Sequence, residues 1–73
     1  MARIEVKSEI TGTVWQVKAS VGDAVESGDT LVVIESMKME IPVIAEEGGT
    51  VVSIAVKEGD AVASGQVVAV LEA

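Results

Sequence analysis

Cysteine and histidine are both absent from this 73-residue chain. Their absence removes disulfides, the usual zinc ligand sets, and the commonest general bases and nucleophiles. Aromatic residues are almost absent too, since Trp15 stands alone, and Pro42 is the only proline. Basic residues are scarce: five against twelve acidic ones, for a net charge of −7. Nucleic acids and anionic membrane surfaces both demand basic patches, so neither is an expected partner. No run approaches the roughly 20 apolar residues needed to span a bilayer, and no charged-then-apolar start resembles an export signal. The cytoplasm is therefore the expected compartment. The carboxylates are scattered beside Gly and Ser in turn-like positions, where acidic residues read as a solvated face. Neither a catalytic nor a metal site is expected.

Aliphatic side chains are abundant. Hydrophobic residues make up 49% of the sequence, with valine in the lead. Valine and isoleucine fit a pleated sheet, so the composition leans towards β-structure. A chain this short buries only about 60% of its unfolded surface. It supports one small domain, residues 1–73, held by aliphatic packing alone.

The sequence is written twice. "GTVWQVKASVGDAVESGDTLVVIE" (Gly12 to Glu35) aligns with "GTVVSIAVKEGDAVASGQVVAVLE" (Gly49 to Glu72), at an offset of 49 − 12 = 37. Gly22-Asp23-Ala24-Val25 falls on Gly59-Asp60-Ala61-Val62, and Ser27-Gly28 on Ser64-Gly65. Extended backwards, the same offset places Ile4 on Ile41 and Val6 on Val43. The halves are Arg3–Glu35 and Glu40–Glu72, and only Ser36, Met37, Lys38 and Met39 lie between them.

Each half reads as short strands separated by turns. Ile4 and Val6 alternate with charged neighbours, whereas Leu31–Ile34 and Val67–Leu71 are continuous apolar runs and predict deeper strands. Val14 and Val17 are three apart, as are Val51 and Ile54. A regular strand spaces inward residues by two, so a bulge is predicted at Trp15-Gln16 and at Val52-Ser53, with Trp15 at least partly exposed. The fold class is all-β. Two open units, each too small to bury its own face, imply a sandwich or flattened barrel about a pseudo-twofold axis. That axis carries Lys38 onto position 1 and onto a position just past Ala73. The joint and the chain ends are expected at opposite poles.

The joint has to reverse the chain. A two-residue hairpin loop needs φ > 0 at both central residues and favours Asn-Gly chemistry. Here the central candidates are Met37 and Lys38, neither suited to that conformation, although the chain uses seven glycines elsewhere. A local rule broken in an otherwise consistent sequence points to function.

"ESMKMEIP", followed by a "GTV" strand and flanked by two "GD-V-SG" turns, resembles the biotinyl domain family, the biotin carboxyl carrier modules of biotin-dependent carboxylases. The resemblance runs from Ile4 to Leu71. It implies a flattened barrel of two four-stranded antiparallel sheets, with the modified lysine on a tight hairpin. It further implies that Lys38 is biotinylated, that Met37 and Met39 mark the site for biotin protein ligase, and that Glu35 is a recognition position. Many members have Ala where this chain has Ser36, and some acetyl-CoA carboxylase carriers insert a "thumb" in the first half, which is missing here. The chain is similar to the small stand-alone biotin/lipoyl attachment proteins.

By this resemblance the chain is a carrier and not an enzyme, expected to be monomeric in isolation. Its covalent biotin would take a carboxyl group at a biotin carboxylase site and deliver it at a carboxyltransferase site. The long arm raises the effective concentration of the cofactor at each. The nearest rival is a lipoyl-carrier domain of a 2-oxoacid dehydrogenase-type system, against which Met37 and Met39 speak, because those domains more often show "DKA". A rival of another class is an unmodified β-sandwich binding module.

Overall fold

The computed structural model describes residues 2–73. Eight strands follow one another: β1 (Arg3–Lys7), β2 (Gly12–Val17), β3 (Ala24–Val25), β4 (Thr30–Ser36), β5 (Met39–Ile44), β6 (Gly49–Ile54), β7 (Ala61–Val62) and β8 (Val67–Glu72). They form two four-stranded sheets, ordered β1-β8-β6-β3 and β5-β4-β2-β7, with every pairing antiparallel. The offset of 37 maps one sheet order onto the other, strand for strand. The expected pseudo-twofold body is thus observed, with one refinement. Neither repeat half forms a sheet of its own: each sheet takes two strands from each half.

The reason is the burial pattern. In β4 all of Leu31–Ile34 is buried, and its mate β8 buries Val68, Ala69 and Leu71. Such strands need neighbours on both edges and cover on both faces. Each is therefore central in its sheet, between one strand of its own half and one of the other. Val6, Val14, Leu31, Val32, Ile34, Val43 and their mates Val51, Val68 and Leu71 interdigitate in a single core.

The predicted bulges are present. The β2–β4 register slips between Val14 and Gln16, and the β6–β8 register between Val51 and Ser53. Each sets two residues against one and leaves Val14 and Val51 facing the core. Trp15, at the first bulge, is 43% exposed.

Four turns repeat one device. The backbone N–H groups of Ser20, Glu26 and Lys57 donate to the Oδ2 atoms of Asp23, Asp29 and Asp60, at 2.8–2.9 Å, and Ala63 donates to Gln66 Oε1 at 2.9 Å. The glycine before each acceptor (Gly22, Gly28, Gly59, Gly65) has φ between 87° and 97°, a region costly for other residues.

The joint and the chain ends are far apart. β1 begins with Arg3 beside Glu72, where the Ala73 N–H also donates to Ala2 O at 2.9 Å. It runs away from that end and crosses to the other sheet through Ser8–Thr11. β2 then starts level with the last residues of β4, since Thr13 faces Glu35. The molecule measures 36 × 17 × 17 Å. Position 1, one counterpart of Lys38, lies outside the described residues.

Candidate functional site

Among the described residues, β4 and β5 are the only consecutive strands that pair with each other. Their register runs from Thr30↔Ile44 to Ser36↔Met39, leaving Met37 and Lys38 as a two-residue loop. Both have left-handed backbones, with φ of 51° and 64°, as the I′ hairpin turn requires of its central residues. They are the only non-glycine residues with positive φ among those described. Their side chains are poorly suited to this geometry, and they adopt it nonetheless, because the strands on either side fix the register. Left-handed backbone costs an ordinary residue roughly 1–2 kcal/mol.

The loop side chains reach into solvent. Met37 is 93% exposed, Met39 is 62% exposed, and Lys38 is exposed as well. Lys38 has no ion pair and no side-chain hydrogen bond among the described residues. A free primary amine on a long stem therefore projects from the tip of a two-residue turn, with an apolar side chain before and after it. Such an amine can take an acyl group as an amide, and nothing around it competes for that role. The structure brings Glu35, Met37, Lys38 and Met39 together at this pole as the sequence suggested.

Comparison of the two poles shows what is particular to this one. At the chain ends, the cross-strand pair Arg3↔Glu72 joins a cation to an anion, with Nε–Oε2 at 3.6 Å. Its repeat mate at the joint is Glu40↔Glu35, two carboxylates directly opposite each other. Like charges so placed destabilise a sheet. The exposed acidic pair at the base of the lysine loop thus stands against a local cost, and Glu40 joins Glu35 as a candidate recognition group.

Sequence reasoning missed a support beneath the hairpin. Ser36 Oγ donates to Thr11 O at 3.0 Å, and Thr11 Oγ1 accepts the Ser64 N–H at 3.1 Å. Ser8, buried and bonded through its Oγ to Ile10 O at 2.7 Å, fixes the crossing segment from which Thr11 projects. A signal was available, because Thr11 aligns with Gly48 and Ser36 with Ala73. The support exists only where the repeat departs from itself.

No group of His, Cys, Asp and Glu that could hold a metal occurs among the described residues. No helix among them is long and apolar enough to cross a membrane.

Known proteins share both sequence and fold. The profile of a family described as "Biotin-requiring enzyme" matches residues 4–71. The biotinylated protein TB7.3 homolog of Mycobacterium leprae is 54% identical over 41 residues, which is 56% of this chain and 58% of that one. The biotin/lipoyl attachment protein of Bacillus subtilis is 42% identical over 41 residues, 56% of each. These matches thus span little more than half of either relative. Among solved structures, the urea carboxylase of Kluyveromyces lactis superposes with a TM-score of 0.93 at 43% identity, over 99% of this chain and 6% of that one. A single-chain, multi-domain long-chain acyl-CoA carboxylase superposes with a TM-score of 0.88 at 31% identity, over 93% of this chain and 7% of that one. With a profile that covers nearly its whole length, this chain belongs to the biotin/lipoyl attachment family of biotin-requiring enzymes.

Proposed function

We propose that the domain is a biotin carrier, acylated on the Lys38 amine by a biotin protein ligase and serving a biotin-dependent carboxylase. The observation that carries this reading is the placement of Lys38. It is a free amine at the tip of a strained two-residue loop, at the pole opposite the chain ends, between two exposed methionines. The relatives named for biotin and the carboxylases that share the fold support it.

Lys38 Nζ, after losing a proton to the ligase, attacks the carboxyl carbon of biotinyl-AMP. A C–N bond forms as the C–O bond to AMP breaks, and AMP leaves with the electron pair. Met37 and Met39 offer adaptable apolar contacts on either side of the amine, and the acidic pair Glu35 and Glu40 offers charge for basic groups of the ligase. The rigid hairpin limits the search to the lysine stem, so the amine is presented in one small region of space. Biotin, once attached, supplies a carrier for a carboxyl group between a biotin carboxylase site and a carboxyltransferase site.

Intact mass after incubation with biotin protein ligase, biotin and ATP tests the reading. One biotinyl group is expected on the parent and none on Lys38→Arg, although Lys7, Lys18 and Lys57 remain. Biotin on the Lys38→Arg variant, or lipoate taken from a lipoate ligase in preference to biotin, would overturn it.

A further inference from the structure

The outer face of the β5-β4-β2-β7 sheet differs from its repeat mate in one consistent direction. Along β5 the outward side chains are Glu40, Pro42 and Ile44, and Pro42 lies opposite Val33 of β4. Across β4, the bulged pair Trp15-Gln16 of β2 also opposes Val33. Val33 is only 8% exposed and yet stands apart from the core cluster. It is covered on the outside of the barrel, by its neighbours on this face. Ile44, Pro42, Val33 and Trp15 therefore share this outer face as a strip that is apolar except at Gln16, the half-buried residue paired with Val33. At the offset of 37 their mates on the other sheet are Lys7, Glu5, Val70 and Val52. The backbone environment is the same and the chemistry is not.

The exposed apolar side chains point the same way. The large ones among the described residues are Trp15, Val21, Ile44, Met37 and Met39. All but Val21 belong to this sheet or its loop. Exposed apolar side chains gathered on one face of a small domain mark a contact site.

We infer that this strip is the surface by which the biotin protein ligase holds the domain while it acylates Lys38, an inference that rests on the carrier reading above. The strip lies on β4 and β5, the strands that carry the loop, so it is continuous with the point of reaction. A ligase acts on the amine itself, at the end of a bare lysine stem. Its surface must come within a lysine's length of the hairpin and cover the adjoining face. The carboxylase sites act at the end of the longer biotinylated arm, so their chemistry does not require so close an approach to the base of the hairpin. Glu35 and Glu40 frame the strip at the loop end, and Asp29, Glu46 and Glu47 follow at the other. The complementary surface is apolar at its centre and basic at its rim. A second copy of this chain does not meet that description, because two surfaces from chains of net charge −7 repel.

The repeat supplies the test. The triple variant Trp15→Val, Pro42→Glu, Ile44→Lys installs residues that the other sheet already accommodates at the matching positions. Its charge changes of −1 and +1 cancel, so long-range attraction to the ligase is unaltered. The control is Glu5→Lys with Lys7→Glu on the opposite sheet, also neutral overall. Initial rates with varied domain concentration at saturating biotin and ATP should show KM raised about tenfold or more in the triple variant, with kcat within about twofold, and no change in the control. A contact surface lost at its Trp anchor accounts for an effect of that size. Thermal melting verifies folding. If the triple variant fails to fold, Trp15→Val alone carries the measurement, with about a threefold rise expected. An unchanged KM, or an equal rise in the control, would overturn the inference while leaving the carrier reading intact. So would a triple variant that is biotinylated normally but no longer accepted by biotin carboxylase, which would give the strip to that partner. A parent chain that takes no biotin would sink both.

Discussion

Replacing Met37 by asparagine should make the domain more stable and a poorer ligase substrate. Met37 holds a left-handed backbone with φ of 51° while 93% of its surface faces solvent. The residue therefore carries the conformational cost with almost no packing to offset it. An ordinary residue loses roughly 1–2 kcal/mol in this region. Asparagine is several-fold enriched there and begins the preferred I′ dipeptide, so it should recover about half of that. The expected gain is about 0.5–1 kcal/mol. For a domain of this size each kcal/mol moves Tm by roughly 4–8 °C, so Tm should rise by about 2–8 °C. Glycine at the same position should gain less, because its freedom in the unfolded chain offsets the relief of strain. Melting by circular dichroism gives the first half of the result. A timed ligase reaction read by intact mass gives the second, where loss of the apolar side chain should slow biotin incorporation. A Met37→Asn variant melting at or below the parent Tm would refute the claim that strain is stored in this loop.

Three further outcomes follow from particular contacts. A Cβ on Gly12 would lie 2.5 Å from Glu35 O and 2.8 Å from Ile34 Cγ2, so Gly12→Ala should cost about 1–3 kcal/mol and lower Tm accordingly; a melt within about two degrees of the parent (a roughly 0.5 kcal/mol effect at most) would contradict the close approach. Gln16 Oε1 is buried without a hydrogen-bond partner, so Gln16→Met should raise denaturant-measured stability by about 1 kcal/mol, and a loss of stability would show that the amide is satisfied in solution. Glu40→Arg recreates at the joint the ion pair seen between Arg3 and Glu72, so it should gain a few tenths of a kcal/mol while slowing ligation, and unchanged ligation kinetics would remove Glu40 from the recognition surface.

Much of this architecture was legible because the sequence repeats. The offset of 37 located the joint, the three-residue spacing of Val14 and Val17 located a bulge, and the apolar runs located the central strands. The motif around Lys38 was legible through chemistry that the turn does not favour. What the residues alone did not reveal was how the halves interlock, since alternation along one strand says nothing about which half supplies its neighbours. The support of Ser36 by Thr11, and of Thr11 by Ser64, spans 25 and 53 positions in sequence and shows only as a departure from the repeat, where Thr11 stands against Gly48 and Ser36 against Ala73. The outer apolar strip escaped notice because Val33 looked like one more core residue in a continuous run. Only the pairing with Pro42 and Gln16 shows that it faces outwards.

The interlocking has a consequence for the making of the molecule. β8 is the last of the eight strands to leave the ribosome, and it lies between β1 and β6 in the middle of its sheet. Until Val67–Glu72 has been synthesised and released, β1 has no strand to pair with and that sheet cannot close. The β4–β5 hairpin is local and can form while translation continues, but the body that steadies it cannot. Because β1–β8, β2–β7 and β3–β6 all join one half of the chain to the other, completion of both sheets comes late. A nascent chain thus displays the lysine motif before the barrel that steadies it is complete, and an enzyme that needs the folded body would leave unfinished chains unmodified.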